Sequence, residues 1–270
     1  MMPECKKRMD CHAHVFPAKV AVNAVDSIGS FYQLPMAGSG TIHDLSALHQ
    51  QAGITHRVIS STATRPEQVA VINRFMLHCA QKNSTTISLG TLHPSQPDED
   101  IVRTLDEITA SGLRGVKLHP DFQRFPADGP FAVKAARLMA DRRLVLLIHA
   151  GDPRQRFSNP EQIGRLAAAC PDTKIIAAHL GGWGHWKDAA QILAKWQNVF
   201  VDTSSSLPFI TQEEAIQCIR TFGAHRVLFG TDYPMWRPAD EYTRLMTLPL
   251  TVKEQEMILW ENGSRLFHVF

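Results

Sequence analysis

The chain has 270 residues, 44% hydrophobic and 20% charged, which suits one large core and matches the length of a single α/β barrel domain. Its 28 Lys and Arg nearly balance 26 Asp and Glu, and no basic run is interleaved with aromatics, so nucleic acid is not an expected partner. The longest apolar run, near Leu144–Ile148, is far too short to span a bilayer, so no membrane partner is expected either.

Five scattered cysteines (Cys5, Cys11, Cys79, Cys170 and Cys218) form no C-x-x-C pair and read as free thiols of a reducing compartment. With no apolar segment behind the charged N-terminal residues, the expected location is cytoplasmic.

In chain order, the first strand covers about Met9–Ala13 and delivers His12 and His14. On a strand, residues two apart face the same way. Two imidazoles on one face are half of a metal site, which takes three or four protein ligands. Residues 15–40, with Phe16, Phe31, Tyr32, Pro35, Met36 and three glycines, read as an irregular active-site loop, helical only near Val20–Ile28. Thr41 caps a helix to about Gln51 that Gly53 ends. His56–Ser60 is a strand, and Pro66–Lys82 a helix with Val69, Ile72, Phe75, Met76 and Cys79 at helical spacing.

Thr86–Leu92 is the next strand, Asp98–Ser111 a helix and Leu113–Leu118 a strand, with a loop from His119 to Pro126. The alternation goes on through helix Pro130–Asp141, strand Leu144–Ile148, helix Pro160–Ala169 and strand Lys174–Ala178. Helix His185–Lys195, strand Val199–Asp202, helix Thr211–Phe222 and strand Arg226–Phe229 follow, then a helical tail ending near Glu254–Phe267.

That makes eight β-α units, with strand starts about 25 to 31 residues apart from the second strand on. The unit count predicts a closed (β/α)8 barrel occupying 1–270 as one domain. An open doubly wound sheet is the alternative, but neither a G-x-G-x-x-G nor a G-x-x-x-x-G-K-[ST] loop is present. Barrel sites lie at the C-terminal strand ends. Those ends carry His12 and His14, then Lys117 and His119, His149, His179, Asp202 and Asp232. Each follows a buried apolar strand, so each needs a hydrogen bond or a metal.

Asp10-Cys11-His12-Ala13-His14-Val15-Phe16-Pro17 resembles the D-x-H-x-H-x-F-P opening of the amidohydrolase superfamily, and in particular its branch that includes aminocarboxymuconate semialdehyde decarboxylase. Gly115–Pro120, Ile148–Gly151, Ala178–Gly182, Gly230–Pro234 and the closing Leu259–Phe267 fall in that family's order, so the resemblance runs over nearly the whole chain. It implies one divalent ion, usually Zn2+ with Mn2+ as an alternative, held by His12, His14, His149 and Asp232. His179 would stand beside the metal water or substrate. In two-metal relatives a carboxylated lysine, here Lys117, would bridge the ions and His179 would bind the second.

The chemistry expected is hydrolysis of an ester, lactone or amide of a small molecule, with Asp232 as base and His179 as orienting group. The alternative is non-oxidative decarboxylation of an unsaturated or aromatic acid; a barrel that binds metal without catalysis is the third reading. Lys117, His119, Arg124, Arg154, Arg156, Trp183 and Tyr233 are the candidate substrate contacts, with Arg154 and Arg156 as cationic clamps and Arg237 as a further basic residue in a loop after a strand. Partners are then a small-molecule substrate, with a homodimer left open.

Overall fold

Hydrogen bonding between neighbouring strands runs in sequence order around the molecule. The structure is a computed structural model describing residues 7–269; Cys5 lies outside them. β1 (Met9–His14), β2 (His56–Ser60) and β3 (Thr86–Ser88) form one parallel run. β4 (Gly90–Thr91), β5 (Gly115–Leu118), β6 (Val145–Ile148), β7 (Ile175–Ala177), β8 (Val199–Asp202) and β9 (Val227–Leu228) form the other.

Only Leu89 separates β3 from β4, and its N–H still donates to Ile59 O at 2.9 Å. The two are halves of the one strand expected over Thr86–Leu92. At the other seam Cys11 N donates to Phe229 O (2.8 Å) and His14 N to Tyr233 O (2.6 Å), and Ala13 bridges Tyr233 in parallel. These bonds tie β1 to the end of β9 and give the (β/α)8 barrel.

Period-two alternation splits the strands between two cores. Val145 and Leu147 pack inside the ring with Met9, Cys11, Val58, Ile87, Leu89 and Ile176. Leu146 and Ile148 face outward and pack in the larger core that the helices cover. β6 is buried on both faces, which is why it reads as an unbroken apolar run.

β1 breaks this rule where it matters. Met9 and Cys11 face inward, and strict alternation would send His12 outward. The β1–β2 register shifts between Asp10 and Ala13. The phase changes there, so Ala13 and Val15 join the outer core while His12 turns to the mouth of the ring.

The segment 15–40 is more regular than expected. It contains a 15-residue helix, α1 (Ala18–Tyr32), ended by Gln33 in the left-handed region. Pro17 supplies no side-chain cap and the first turn has no acidic residue, so the usual start signals are missing. α2 (Ile42–Ala52) follows the expectation: Thr41 Oγ1 accepts from Asp44 N and Gly53 ends it at φ 67°. The loop after β5 also holds one helical turn, Pro120–Gln123, with His119 capping it.

Candidate metal centre

The hydrogen bonds of each histidine decide which of its nitrogens faces the mouth. His12 Nδ1 lies 2.9 Å from Asp202 Oδ2. A carboxylate accepts, so Nδ1 carries the hydrogen and Nε2 keeps a bare lone pair. His149 Nε2 donates to Gly151 O at 2.7 Å, leaving Nδ1 bare. His179 Nδ1 donates to Ser204 O at 3.0 Å, leaving Nε2 bare.

These bare nitrogens and His14 Nε2 line one shared space. His12 Nε2 is 3.1 Å from His14 Nε2, and His149 Nδ1 is 3.0 Å from His179 Nε2. Asp232 Oδ1 stands 3.2 Å from His14 Nε2 and 3.5 Å from His12 Nε2. Lys117, fully buried, places Nζ 3.0 Å from His12 Nε2. Lone pairs so close repel unless a cation or proton sits beside them. Nitrogens about 2.0–2.1 Å from a tetrahedral ion would themselves be roughly 3.3 Å apart. The residues present therefore fit a divalent ion.

The charge states suit one too, since ligands must be neutral imidazoles and ionised carboxylates. Burial lowers His14 and His179 to about 4 and takes His149 and His119 well below the ordinary imidazole value. Burial works against Asp232 and Asp202, but the surrounding histidines win. His12, His14 and His179 hold Asp232 well below the carboxylate range, and His12 with His179 brings Asp202 to about 2. Burial lowers Lys117 to about 8, with Asp232 and Asp202 opposing it.

The ligating atoms of His12, His14 and Asp232 lie within 4.8 Å of one another. His149, the fourth expected ligand, is not in that trio. It groups instead with His119 and Asp121 and meets the rest of the site through His179. His179 groups with His12 and Asp202.

The candidate substrate contacts divide. His119 lies in a parallel stack between Phe122 and His149, with ring centroids 3.8 and 4.0 Å away. Trp183 is half-buried beside Tyr32, edge-on at 5.5 Å. Arg154 stands at the mouth, but it is no free clamp. Nε and Nη2 donate to Asp152 (3.0 and 2.8 Å), and Nη1 donates to Phe31 O (3.0 Å). Arg124, Arg156 and Arg237 are exposed, and no side-chain bond ties them to the cluster among the described residues.

Tyr233 is not a wall of the site. Its ring is fully buried, its hydroxyl donates to Asp44 Oδ2 (2.7 Å) and accepts from Gly40 N (2.9 Å). A Cβ on Gly38 would come within 2.1 Å of that ring, so Tyr233 fastens the link between α1 and α2.

Three residues missed as contacts hold the site together. Asp202 orients His12, as above. Asp10 Oδ1 accepts from His12 N and Thr231 N (both 3.0 Å), and Oδ2 accepts from Thr231 Oγ1 (2.5 Å) and His49 Nε2 (2.9 Å). It thus pins the two segments that carry His12 and Asp232. Asp121 lies 3.3 Å from His149 Nε2 and accepts from Ser158 Oγ at 2.7 Å, while its Oδ1 is buried without a partner; burial raises its carboxyl to about 6. The signal in sequence was only an aspartate two residues before a histidine, at a strand end, or two after one.

The family profile described as Amidohydrolase matches residues 9–269. The chain belongs to the amidohydrolase family. No curated protein sequence matches it. Among solved structures, an uncharacterized TIM-barrel protein from Bordetella bronchiseptica aligns with TM-score 0.83 and 20% identity over 97% of this chain and 99% of that one.

A 5-carboxyvanillate decarboxylase from Novosphingobium aromaticivorans, complexed with manganese and 4-hydroxy-3-methoxy-5-nitrobenzoic acid, aligns at 0.76 and 17% identity over 98% and 97%. A protein from Pseudomonas putida assigned as a 2-pyrone-4,6-dicarboxylic acid hydrolase aligns at 0.70 and 18% over 98% of each chain. At these identities the likeness shows the fold. No helix among the described residues is long and apolar enough to cross a membrane.

Proposed function

We propose that this amidohydrolase-family barrel is a metal-dependent, non-oxidative decarboxylase of small aromatic or conjugated carboxylic acids. This reverses the order expected from sequence, where hydrolysis came first. The observation that carries it is the placing of ionised Asp232, His14 Nε2 and the bare nitrogens of His12 and His179 beneath a roof of Tyr32, Phe122 and Trp183. Flat unsaturated rings fit edge-to-face against such side chains. The manganese-bound Novosphingobium protein is a 5-carboxyvanillate decarboxylase, which supports the same class.

A divalent ion held by His12, His14 and Asp232, with His149 or His179 closing the set, would supply Lewis-acid binding of substrate oxygens. Manganese and zinc both suit nitrogen and carboxylate donors. The chain's own residues supply the rest. Loss of carbon dioxide leaves the bonding pair on the carbon, which must take up one proton. Asp232 Oδ1 faces the shared space and, on this reading, takes a proton from a substrate hydroxyl or water and passes it to that carbon. Ser205 Oγ donates to the other Asp232 oxygen at 2.5 Å and fixes its orientation. The aromatic roof excludes water that would compete for the proton.

Hydrolysis is the second reading, favoured by the same Asp232. A carboxylate held ionised is ready to accept a proton from water attacking an ester or lactone carbonyl, with His179 Nε2 orienting that water. The test is a panel of hydroxybenzoates and conjugated acids beside lactones, run on protein loaded with manganese or zinc. Metal-dependent release of carbon dioxide, abolished in Asp232→Asn, is the expected result. Lactone opening with no carbon dioxide release would overturn the first reading in favour of the second.

A further inference from the structure

α1 sits loosely along most of its length and firmly at one end. Of its fifteen residues only Ala21 and Val25 are buried, and Val20 and Val22 are 48% and 68% exposed. The end at Phe31 and Tyr32 is fastened. Phe31 O accepts from Arg154 Nη1, and the Arg154 guanidinium lies over Phe31, Tyr32 and Trp183 at 5.2, 5.5 and 5.5 Å from their centroids. Asp152 holds Arg154 with two further bonds. Phe31 also packs edge-on against Phe122 at 4.8 Å.

What that end delivers is the Tyr32 hydroxyl, 3.1 Å from His119 Nε2. The direction of this bond is fixed. Phe122 N–H can only donate, and it donates to His119 Nδ1 at 3.3 Å. Nδ1 therefore carries no hydrogen, and the ring's hydrogen is on Nε2. The Tyr32 oxygen therefore accepts from His119. Its own hydrogen has no acceptor among the described residues and is free to donate. The ring stands 6.3 Å from that of His149.

We infer that Tyr32 is a substrate-contacting residue: the strap α1, latched by Arg154, carries its phenol over the site, His119 orients it, and its free O–H donates to a carboxylate oxygen of the bound acid. The inference rests on the proposed carboxylic-acid substrate. It also accounts for the commitment of Arg154, which serves as the latch while Tyr32 meets the acid.

Benzoate is the probe, with binding to metal-loaded protein followed by calorimetry, so the test does not need turnover. Tyr32→Phe keeps the ring contacts and removes the hydroxyl, both the free donor and the acceptor that His119 uses. Benzoate affinity falls about 10-fold or more, because a hydrogen bond to a charged group is lost. Metal content stays at the wild-type value, while the thermal midpoint falls modestly because His119 Nε2–H loses its partner. Arg154→Met frees the strap but keeps the phenol, and weakens benzoate less than Tyr32→Phe does.

Equal benzoate affinity in wild type and Tyr32→Phe overturns the inference, as does a wild type that binds no benzoate. If benzoate binds through Tyr32 but no acid is decarboxylated, the inference stands and the decarboxylase reading falls.

Discussion

Asp202 Oδ2 lies 2.9 Å from His12 Nδ1, and both side chains are fully buried. This contact fixes the tautomer and ring plane of His12 before any ion arrives. Asp202 comes from β8 and His12 from β1, so the pairing depends on the closed ring rather than on proximity in sequence.

Asp202→Asn leaves the shape intact but offers an amide that can turn its N–H2 toward His12. Removing such a carboxylate behind a ligating imidazole costs about 10–100-fold in metal affinity. Competition with a chelator measures it. Unchanged affinity would mean that His12 does not ligate, or that Ser204 Oγ, 3.0 Å from His12 Nδ1, orients it alone.

Glu241 gives the clearest pH dependence away from the ligands. Its side chain is fully buried, and Oε1 accepts from Arg244 Nη1 at 2.5 Å. Oε2 has no partner. Burial outweighs Arg244 and raises the carboxyl from 4.5 to about 8. The folded state therefore keeps a proton that the unfolded chain releases above its ordinary value. The resulting stability is fully present below about pH 4.5 and is lost as pH rises toward about 8. Glu241→Gln removes this slope. Its unfolding free energy relative to wild type should climb steadily between those limits, by an amount on the order of a few kcal/mol. Parallel curves for the two proteins would rule the effect out.

Gly151 sits between the site and its wall. Its φ is 79°, and a Cβ would meet Trp183 N at 2.3 Å. Its carbonyl also receives His149 Nε2. Gly151→Ala should destabilise the fold by at least about 2 kcal/mol, from left-handed strain and backbone overlap together. Denaturant titration checks this. Near-wild-type stability would show that the loop after β6 has room to move.

Much of this was legible in the sequence, for identifiable reasons. Helices Pro130–Asp141 and Pro160–Ala169 begin at a proline in the first turn, and β6 is an apolar run buried on both faces, so their bounds could be read directly. The order of strand-end histidines gave the ligand candidates.

α1 was legible only in part, because Pro17 gives no cap bond and exposed Val20 and Val22 blur its apolar face. Asp10 and Asp121 were not legible as site residues, and Asp202 was legible only as a polar residue at a strand end, without its partner. Their partners come from other strands and loops, and only the register of the closed barrel brings them together. Tyr233 misled for the opposite reason: it follows Asp232 directly, yet its ring turns away to Asp44 and Gly40. The inward turn of His12 depends on the irregularity in β1, for which the sequence carries no evident mark.

The most direct test of the central claim is divalent metal per chain, by elemental analysis after loading with manganese or zinc and removal of excess. About one ion per wild-type chain, lost in both His12→Ala and Asp232→Asn while the fold persists, is the expected result. No ion in the wild type, or full occupancy in both variants, would contradict a metal centre built on His12, His14 and Asp232.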